Sequence, residues 1–298
     1  MLTPVSAREA FHVLLLEYLI ARLRSELPSA FALKGGVNLR LYFGSPRYSQ
    51  DIDFDAEPRL RSAMRGAIRQ GLQDPEIRRA FVELGGDDIR VPIDPVKDTA
   101  TTLRFKFGVV LGGVDHPTKI EVSFRARPAL DVAVAEAAPS SLVDPYRVPA
   151  TILAPTPHRA RGQRPMLVAA PVPPAPLVLP HYPRLPALRQ KIAALAGRTE
   201  VQARDIFDLS VLGAGDIDAV EAGRLRAALP TATLTEAQAR TFQITYAEYR
   251  DQVLEYLEPA DRAAFEGPGR WDELCLTAGS LIERLLAIPD PDGDAADV

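Results

Sequence analysis

The sequence predicts a mixed α/β chain, α+β by layer count, with an N-terminal lobe built on a mixed sheet and a C-terminal lobe of helices. Three observations predict it. Residues 31–55 read as strand, glycine turn, short helix, loop and strand. Residues 101–125 hold two runs of alternating apolar and polar side chains with a glycine pair between them. From residue 185 onward the apolar positions recur at helical spacing. A chain of 298 residues is long enough for one large domain or two ordinary ones with a substantial core.

Ala7 to Leu27 is expected to form an amphipathic helix, with Phe11, Leu14, Leu15, Tyr18, Leu19 and Leu23 at packing positions. Ser6 is its expected N-cap with Glu9 three residues on, and Pro28 its stop. His12 falls near the apolar face, where a satisfied core histidine is expected rather than a ligand. Phe31-Ala32-Leu33 is a short strand ending in Lys34-Gly35-Gly36. A helix from Val37 to Phe43 and a turn at Gly44-Ser45-Pro46 lead to the strand Asp51–Asp55, DIDFD. Side chains alternate along a strand, so Asp51, Asp53 and Asp55 share one face and Ile52 and Phe54 the other. Carboxylates gathered on one face repel each other unless a cation offsets them. Two of them at i and i+2 suit the Mg²⁺ that accompanies a nucleoside triphosphate, and paired metals can clamp both oxygens of a phosphoryl-type transfer. The glycine pair lets backbone N–H groups come close to phosphate.

Pro58 to Leu72 reads as a helix rich in arginine (Arg59, Arg61, Arg65, Arg69), and Pro75 to Leu84 as a second one ended by Gly85-Gly86. Thr101–Val110 turns Leu103, Phe105, Phe107 and Val109 inward, and Lys119–Arg125 does the same with Ile120, Val122 and Phe124. The two pair as a hairpin through a turn from Gly112 to Pro117. Glu121 then shares the outer face with Ser123 and Arg125. If its strand neighbours Asp51–Asp55, Glu121 is a third acidic ligand or a metal-side base; otherwise it is an exposed glutamate paired with Lys119 or Arg104.

Residues 139–184 read as a proline-stiffened connector between a lobe at 1–138 and a helical lobe at 185–298. Inside it, β-like pieces at 151–153 and 166–170 flank a basic loop from His158 to Arg164. The helix from Leu185 to Arg198 buries Leu188, Ile192 and Leu195 and aligns Lys191, Ala194 and Arg198 on an adjoining stripe. The helix from Val201 to Leu212 carries Arg204, Asp205 and Asp208 within one turn. Read alone, these charges form an Arg204–Asp208 surface pair and a Lys191–Asp205 pair between the helices. Helices Asp216–Leu229, Thr235–Leu257 with Thr235 as N-cap, Pro259–Glu266 and Trp271–Ile288 complete the lobe, followed by an acidic tail.

The single Cys275 excludes a disulfide framework and fits a reducing cytosol; with four scattered histidines it cannot build a Cys/His metal site. The apolar run Val13–Ile20 is broken by Glu17, which argues against a membrane span, and no basic residue precedes Arg8, which argues against a signal peptide. A cytoplasmic protein is expected. The net charge of −4 is uneven: residues 212–298 hold 7 basic and 17 acidic side chains, whereas the blocks carrying the candidate motifs are positive. A basic field beside a nucleotide site favours a polyanionic partner, although an arginine-rich surface alone gives the same count.

The run KGGVNLR followed by RYSQDIDFD resembles the first motif of the DNA-polymerase-β-like nucleotidyltransferases and, more narrowly, the AbiEii/AbiGii-type toxin family of type IV toxin–antitoxin systems. Lys191, Ala194, Arg198 and then Arg204-Asp205-x-x-Asp208-Leu209 resemble that family's second motif, in the same order. The resemblance covers roughly residues 30–56 and 185–210, and the proline-rich connector is longer than the family pattern. It implies a polymerase-β-like lobe with the active site in a cleft against the helical lobe. Gly35 and Gly36, with Lys34, Arg47 and Ser49, would hold the triphosphate, and Asp51 and Asp53 would hold magnesium, with Glu121 as the later-strand carboxylate. Lys191 would neutralise charge on the leaving pyrophosphate, and Arg198 or Arg204 would add a second cationic contact. Asp205 or Asp208 would orient Lys191 or act as base toward the incoming hydroxyl. The implied reaction moves a nucleoside monophosphate from an NTP to an acceptor hydroxyl, the 3′ end of tRNA leading, with a cognate antitoxin as partner. Transfer to a protein side chain, as in AMPylase-like relatives, and a catalytically silent nucleotide- or antitoxin-binding module are the other expectations.

Overall fold

The computed structural model describes residues 2–23, 30–92, 94–125, 133–136 and 178–290. The chain divides into two compact units. The first gathers Met1–Leu33, Gln50–Ala126 and Val134–His181, and the second Lys34–Ser49, Arg127–Ala133 and Tyr182–Val298. These boundaries differ from a division at residues 138 and 185, because Lys34–Ser49 belongs with the C-terminal helices. Asn38 Nδ2 donates to the Tyr182 carbonyl at 2.9 Å, and the Tyr48 N–H to the Tyr256 carbonyl at 2.8 Å.

The first unit carries a mixed sheet, as the sequence predicts. Its strands among the described residues are β1 (Phe31–Lys34), β2 (Asp51–Ala56), β3 (Asp88–Arg90), β4 (Lys97–Thr99), β5 (Thr102–Leu111), β6 (Val114–Ser123), β7 (Ala133–Glu136) and β8 (Val178–His181). The order is β3-β5-β6-β2-β1-β8-β7, with β4 on the same edge of β5 as β3. β2 runs parallel to β6 and β1 parallel to β8, while β3, β4 and β6 are antiparallel to β5.

Three sequence expectations need correction in this unit. The hairpin turn is Gly112-Gly113 alone, with φ of +59° and +74°; two consecutive positive φ values give the twist that joins antiparallel strands tightly. β6 therefore starts at Val114 and includes Pro117, which costs no ladder bond to β2 because that pairing begins at Lys119. β8 lies in the stretch read as connector, its strand character masked by Pro180 in the run VLPH. The β-like pieces at 151–153 and 166–170 and the basic loop at 158–164 lie outside the described residues.

The first helix, α1 (Pro4–Leu23), begins earlier than expected and is capped by Thr3 rather than Ser6. The Thr3 N–H donates to Ser6 Oγ at 2.8 Å and the Ser6 N–H to Thr3 Oγ1 at 3.2 Å, a reciprocal cap of the capping-box kind. Its expected end, Pro28 included, falls outside the described residues. The helix packs on one face of the sheet, where the Phe11 ring meets Phe107 at 5.3 Å and Phe81 at 5.8 Å, both edge to face. On the same face lie α3 (Arg61–Gln73), entered through a short 3₁₀ turn at Pro58–Leu60, and α4 (Pro75–Glu83). The α2 helix (Gly35–Phe43) belongs to the second unit.

His12 is the core histidine that its position suggests. Thr118 Oγ1 donates to the Gln50 carbonyl at 2.7 Å and so accepts from His12 Nε2 at 2.8 Å. Burial, then the nearby Arg8 charge, lowers the His12 pKa to about 3. An unfolded chain takes up this proton near the ordinary histidine value of 6.5, so stability falls as pH drops below that value and continues falling toward the folded pKa. The slope approaches about 1.4 kcal/mol per pH unit. Urea unfolding of wild type at pH 6.5 and 5.5 should differ by about 1 kcal/mol from this group, and His12→Gln, which keeps a donor for Thr118, should abolish most of that difference.

The second unit is helical: α2, then α5 (Arg184–Gly197), α6 (Ala203–Gly213), α7 (Ala219–Ala227), α8 (Thr231–Thr241), α9 (Tyr246–Gln252), α10 (Pro259–Phe265) and α11 (Pro268–Leu286). Its core joins Leu39 of α2 to Leu188, Ile192, Ile206, Leu209 and Trp271, and Trp271 stacks on Tyr249 at 4.4 Å. The single helix expected over Thr235–Leu257 is two helices and a 3₁₀ turn. Thr245 and Glu248 form a capping box that starts α9 afresh. The Ile244 carbonyl just before this cap is met by Trp271 Nε1 at 3.0 Å. Thr235 sits inside α8, its hydroxyl bonded to the Thr231 carbonyl at 3.0 Å. A second capping box, Asp218 with Glu221, likewise moves the start of α7 from Asp216 to Ala219. Among the described residues no helix is long and apolar enough to cross a membrane.

Candidate active site

In the first unit the site is built on β2. Ile52 and Phe54 are fully buried, Ala56 nearly so, and Asp51, Asp53 and Asp55 stand half-buried on the other face, as strand alternation requires. The parallel register sets Asp51 beside Lys119, Asp53 beside Glu121 and Asp55 beside Ser123. The hairpin register sets Glu121 in turn beside Arg104, and Lys119 beside Lys106. Lys119 Nζ lies 3.0 Å from Asp51 Oδ2. Arg104 Nε and Nη2 meet Glu121 Oε2 at 2.6 and 2.5 Å. Glu121 thus neighbours the aspartate row, but its carboxylate is engaged by Arg104.

Magnesium fits this row in kind, since carboxylate oxygen is the donor it prefers. Among the described residues no three His, Cys, Asp or Glu side chains converge as a cation cage. An ion held by one or two carboxylates and otherwise by water and substrate phosphates needs none. Asp51 and Asp53 are the residues that would hold it.

In the second unit, Lys34 is the extended N-cap of α2 and Gly35 opens the helix at φ +70°. A Cβ at Gly36 would meet Ser49 Oγ at 2.6 Å and Arg47 Nη2 at 3.1 Å, so glycine is what lets the helix start and the 44–49 loop close on each other. Lys34, Gly36 and Ser49 are half-buried. Arg47 is only 4% exposed and grips Asp208: Nη2 donates to both oxygens at 2.9 and 3.0 Å, and Nε to Oδ1 at 3.2 Å. Arg47 Nη1 also donates to the Tyr48 carbonyl at 3.2 Å.

Lys191 on α5 sits between the two aspartates of α6, 3.0 Å from Asp205 Oδ1 and 2.5 Å from Asp208 Oδ2. Arg198 Nε reaches Asp205 Oδ2 at 2.5 Å. Both carboxylates are wholly buried. Burial alone would lower the Lys191 pKa, but the Asp208 and then the Asp205 charge outweigh it and hold the ammonium above its ordinary value. For Asp205 burial pushes upward, and Lys191 with Arg198 overcomes it, leaving the carboxyl below the usual range. The cluster therefore keeps Lys191 an ammonium at neutral pH and spends both carboxylates on cations. Arg204 is half-buried and, among the described residues, makes no hydrogen bond or ion pair, so the surface pair with Asp208 does not form. The Lys191–Asp205 pair does.

The Arg47–Asp208 link escaped sequence reasoning, since the residues are 161 positions apart and neither carries a local signal of the other. Of the two partners that the sequence offers Glu121, Lys119 and Arg104, the structure selects Arg104, because the two-residue turn at Gly112-Gly113 fixes the hairpin register and makes them opposite.

Among solved structures, a provisionally assigned nucleotidyltransferase from H. pylori shares 17% identity with a TM-score of 0.48, covering 91% of this chain and 92% of its own. JHP933 from Helicobacter pylori shares 15% with a TM-score of 0.46, covering 91% and 89%. No curated protein matches the chain. The family model described as nucleotidyl transferase AbiEii toxin, Type IV TA system, matches residues 18–269, a span that holds both the β2 aspartates and the Lys191 cluster. The chain belongs to the AbiEii nucleotidyltransferase toxin family of type IV toxin–antitoxin systems.

Proposed function

We propose that this nucleotidyltransferase toxin uses Mg²⁺ and moves a nucleoside monophosphate from an NTP to a hydroxyl at the 3′ end of tRNA. The observation that carries the reading is the Asp51/Asp53 pair on one face of β2, its apolar neighbours Ile52 and Phe54 anchored in the core. In the reaction the acceptor oxygen forms a bond to the α-phosphorus, the bond to the bridging oxygen breaks, pyrophosphate leaves and the hydroxyl proton is released. Magnesium, when bound, would neutralise phosphate charge and orient the triphosphate.

Each protein group has a part in this reading. The N–H groups at the start of α2, freed by Gly35 and Gly36, and the Lys34 ammonium bind phosphate. Lys191 meets the charge that grows on the leaving pyrophosphate. Asp205 and Asp208, buried and filled by cations, orient Lys191 rather than serve as base toward the hydroxyl. Arg198 steadies Asp205, Arg47 steadies Asp208, and Arg204 is the guanidinium left for nucleotide or acceptor. The family's pairing implies a cognate antitoxin, and a cytoplasmic site of action accords with both substrates.

The test is to incubate the protein with each labelled NTP, Mg²⁺ and either total tRNA or lysate protein. Label in tRNA that chelator abolishes is the expected result. Label in protein alone would move the acceptor to a side chain, and label in neither would leave a nucleotide- or antitoxin-binding module.

A further inference from the structure

The sheet face that bears Asp51 and Asp53 continues across β6, β5 and β4, and its charge changes sign on the way. One rung runs Asp53, Glu121, Arg104, Lys97; the next runs Asp51, Lys119, Lys106. Residues in register share a face, so the acidic row on β2 is flanked, two and three strands away, by Arg104, Lys106 and Lys97. The opposite face of the same strands is closed: Leu103, Phe105, Ile120 and Val122 are buried on the side where α1 and α3 pack. Even Asp98, next to Lys97, points to that helical side and pairs with Arg61 and Arg65 of α3.

Of these three cations Arg104 is held by Glu121 across the ladder. Lys97 and Lys106 are exposed and, among the described residues, make no hydrogen bond or ion pair. A lysine on an edge strand such as β4 also deters edge-to-edge pairing. On the edge of β5 away from β6, β3 pairs Gly108–Val110 and β4 pairs Thr102–Arg104, and Lys106 lies between the two pairings among the described residues. Lys106 stands across the ladder from Lys119, whose ammonium is answered by Asp51, so the pair to Asp51 leaves the Lys106 charge to solvent or to a bound anion.

We infer that this basic flank, Lys97, Arg104 and Lys106, is the track along which the sugar–phosphate backbone of the acceptor RNA lies as its 3′ end enters at Asp51 and Asp53. With strands about 4.8 Å apart, the flank lies about 10 to 14 Å from the aspartate row. At about 3.4 Å of rise per nucleotide in a stacked strand, that is the last three or four nucleotides. The inference rests on the proposed RNA acceptor and adds where that acceptor is held. It assigns RNA rather than protein because exposed lysines on the same sheet face, two and three strands from the reacting carboxylates, suit a repeating phosphate charge.

The experiment uses the full chain carrying Lys97→Gln and Lys106→Gln together, with labelled NTP and total tRNA at several salt concentrations. Relative to wild type, KM for tRNA should rise about tenfold with kcat and the KM for NTP unchanged. The plot of log kcat/KM against log salt should become shallower by about one unit per lysine removed. Lys97→Arg with Lys106→Arg should restore wild-type behaviour, since phosphate attraction needs charge and not the ammonium itself. If wild type labels tRNA and the glutamine pair matches it in KM and salt slope, the track is overturned while the acceptor stands. If wild type labels only protein, the RNA acceptor fails and the track falls with it.

Discussion

Asp208→Ala should cost about 3–5 kcal/mol of stability, the usual penalty for breaking a buried ion pair from one side. The carboxylate is wholly buried and answers Arg47, 4% exposed, and Lys191, 12% exposed. Without it those two cations face each other in a site with little water, and the Arg47 charge already works against the Lys191 proton. Lys191→Met should cost markedly less, because Asp205 keeps Arg198 and Asp208 keeps Arg47. Trp271, the only tryptophan, lies in the core of the same unit, so its fluorescence in urea reads this unit directly. Loss of under 1 kcal/mol in Asp208→Ala would show that the cluster is not a buried unit.

The cluster also sets a pH window. Asp205 has a lowered pKa, so its contribution is present above the unfolded carboxylate range and is lost as pH falls through the folded value. Lys191 has a raised pKa, so its contribution is present below the unfolded value of 10.5 and is lost as pH rises through the folded one. Neutral pH lies inside both limits, which keeps Lys191 an ammonium where the proposed chemistry needs one.

Local patterns carried much of this architecture into view. DIDFD alternates strictly, and its buried and half-buried positions in β2 follow that alternation residue by residue. Leu188, Ile192 and Leu195 form the buried stripe of α5 for the same reason of period. What stayed hidden was set by competition or by distance. Ser6 and Thr3 are both competent caps, and the reciprocal bonds of Thr3 prevail. Thr245 with Glu248 interrupts a helix whose apolar period runs straight through. The strands β3 and β4 are three residues each, too short for a period to register. At the site, the Lys191–Asp205 pair is legible from the helix periods, whereas Asp208 reads as half of a surface pair with Arg204, because Asp is almost never fully buried unless paired. The arginine that pairs with Asp208 comes from a loop that only the fold brings near.

Asp53→Asn should reduce nucleotide transfer by at least about 10³-fold while leaving the fold intact, and that separation is what makes it informative. A thousandfold loss corresponds to about 4 kcal/mol of transition-state stabilisation, within what a carboxylate that positions a divalent ion is asked to supply. Stability points the other way. Asp53 stands on the half-buried face of β2, opposite Glu121, and like charges directly across a ladder disfavour pairing. Removing one of them leaves Ile52 and Phe54 in the core, and partly exposed ion pairs are worth at most about 1 kcal/mol. Urea unfolding should therefore place Asp53→Asn within about 1 kcal/mol of wild type, in contrast to Asp208→Ala. Transfer within tenfold of wild type would remove Asp53 from the metal-binding pair. Loss of transfer together with several kcal/mol of stability would instead make it a structural carboxylate of the sheet, since a group that serves only a bound ion contributes to activity and not to folding in its absence.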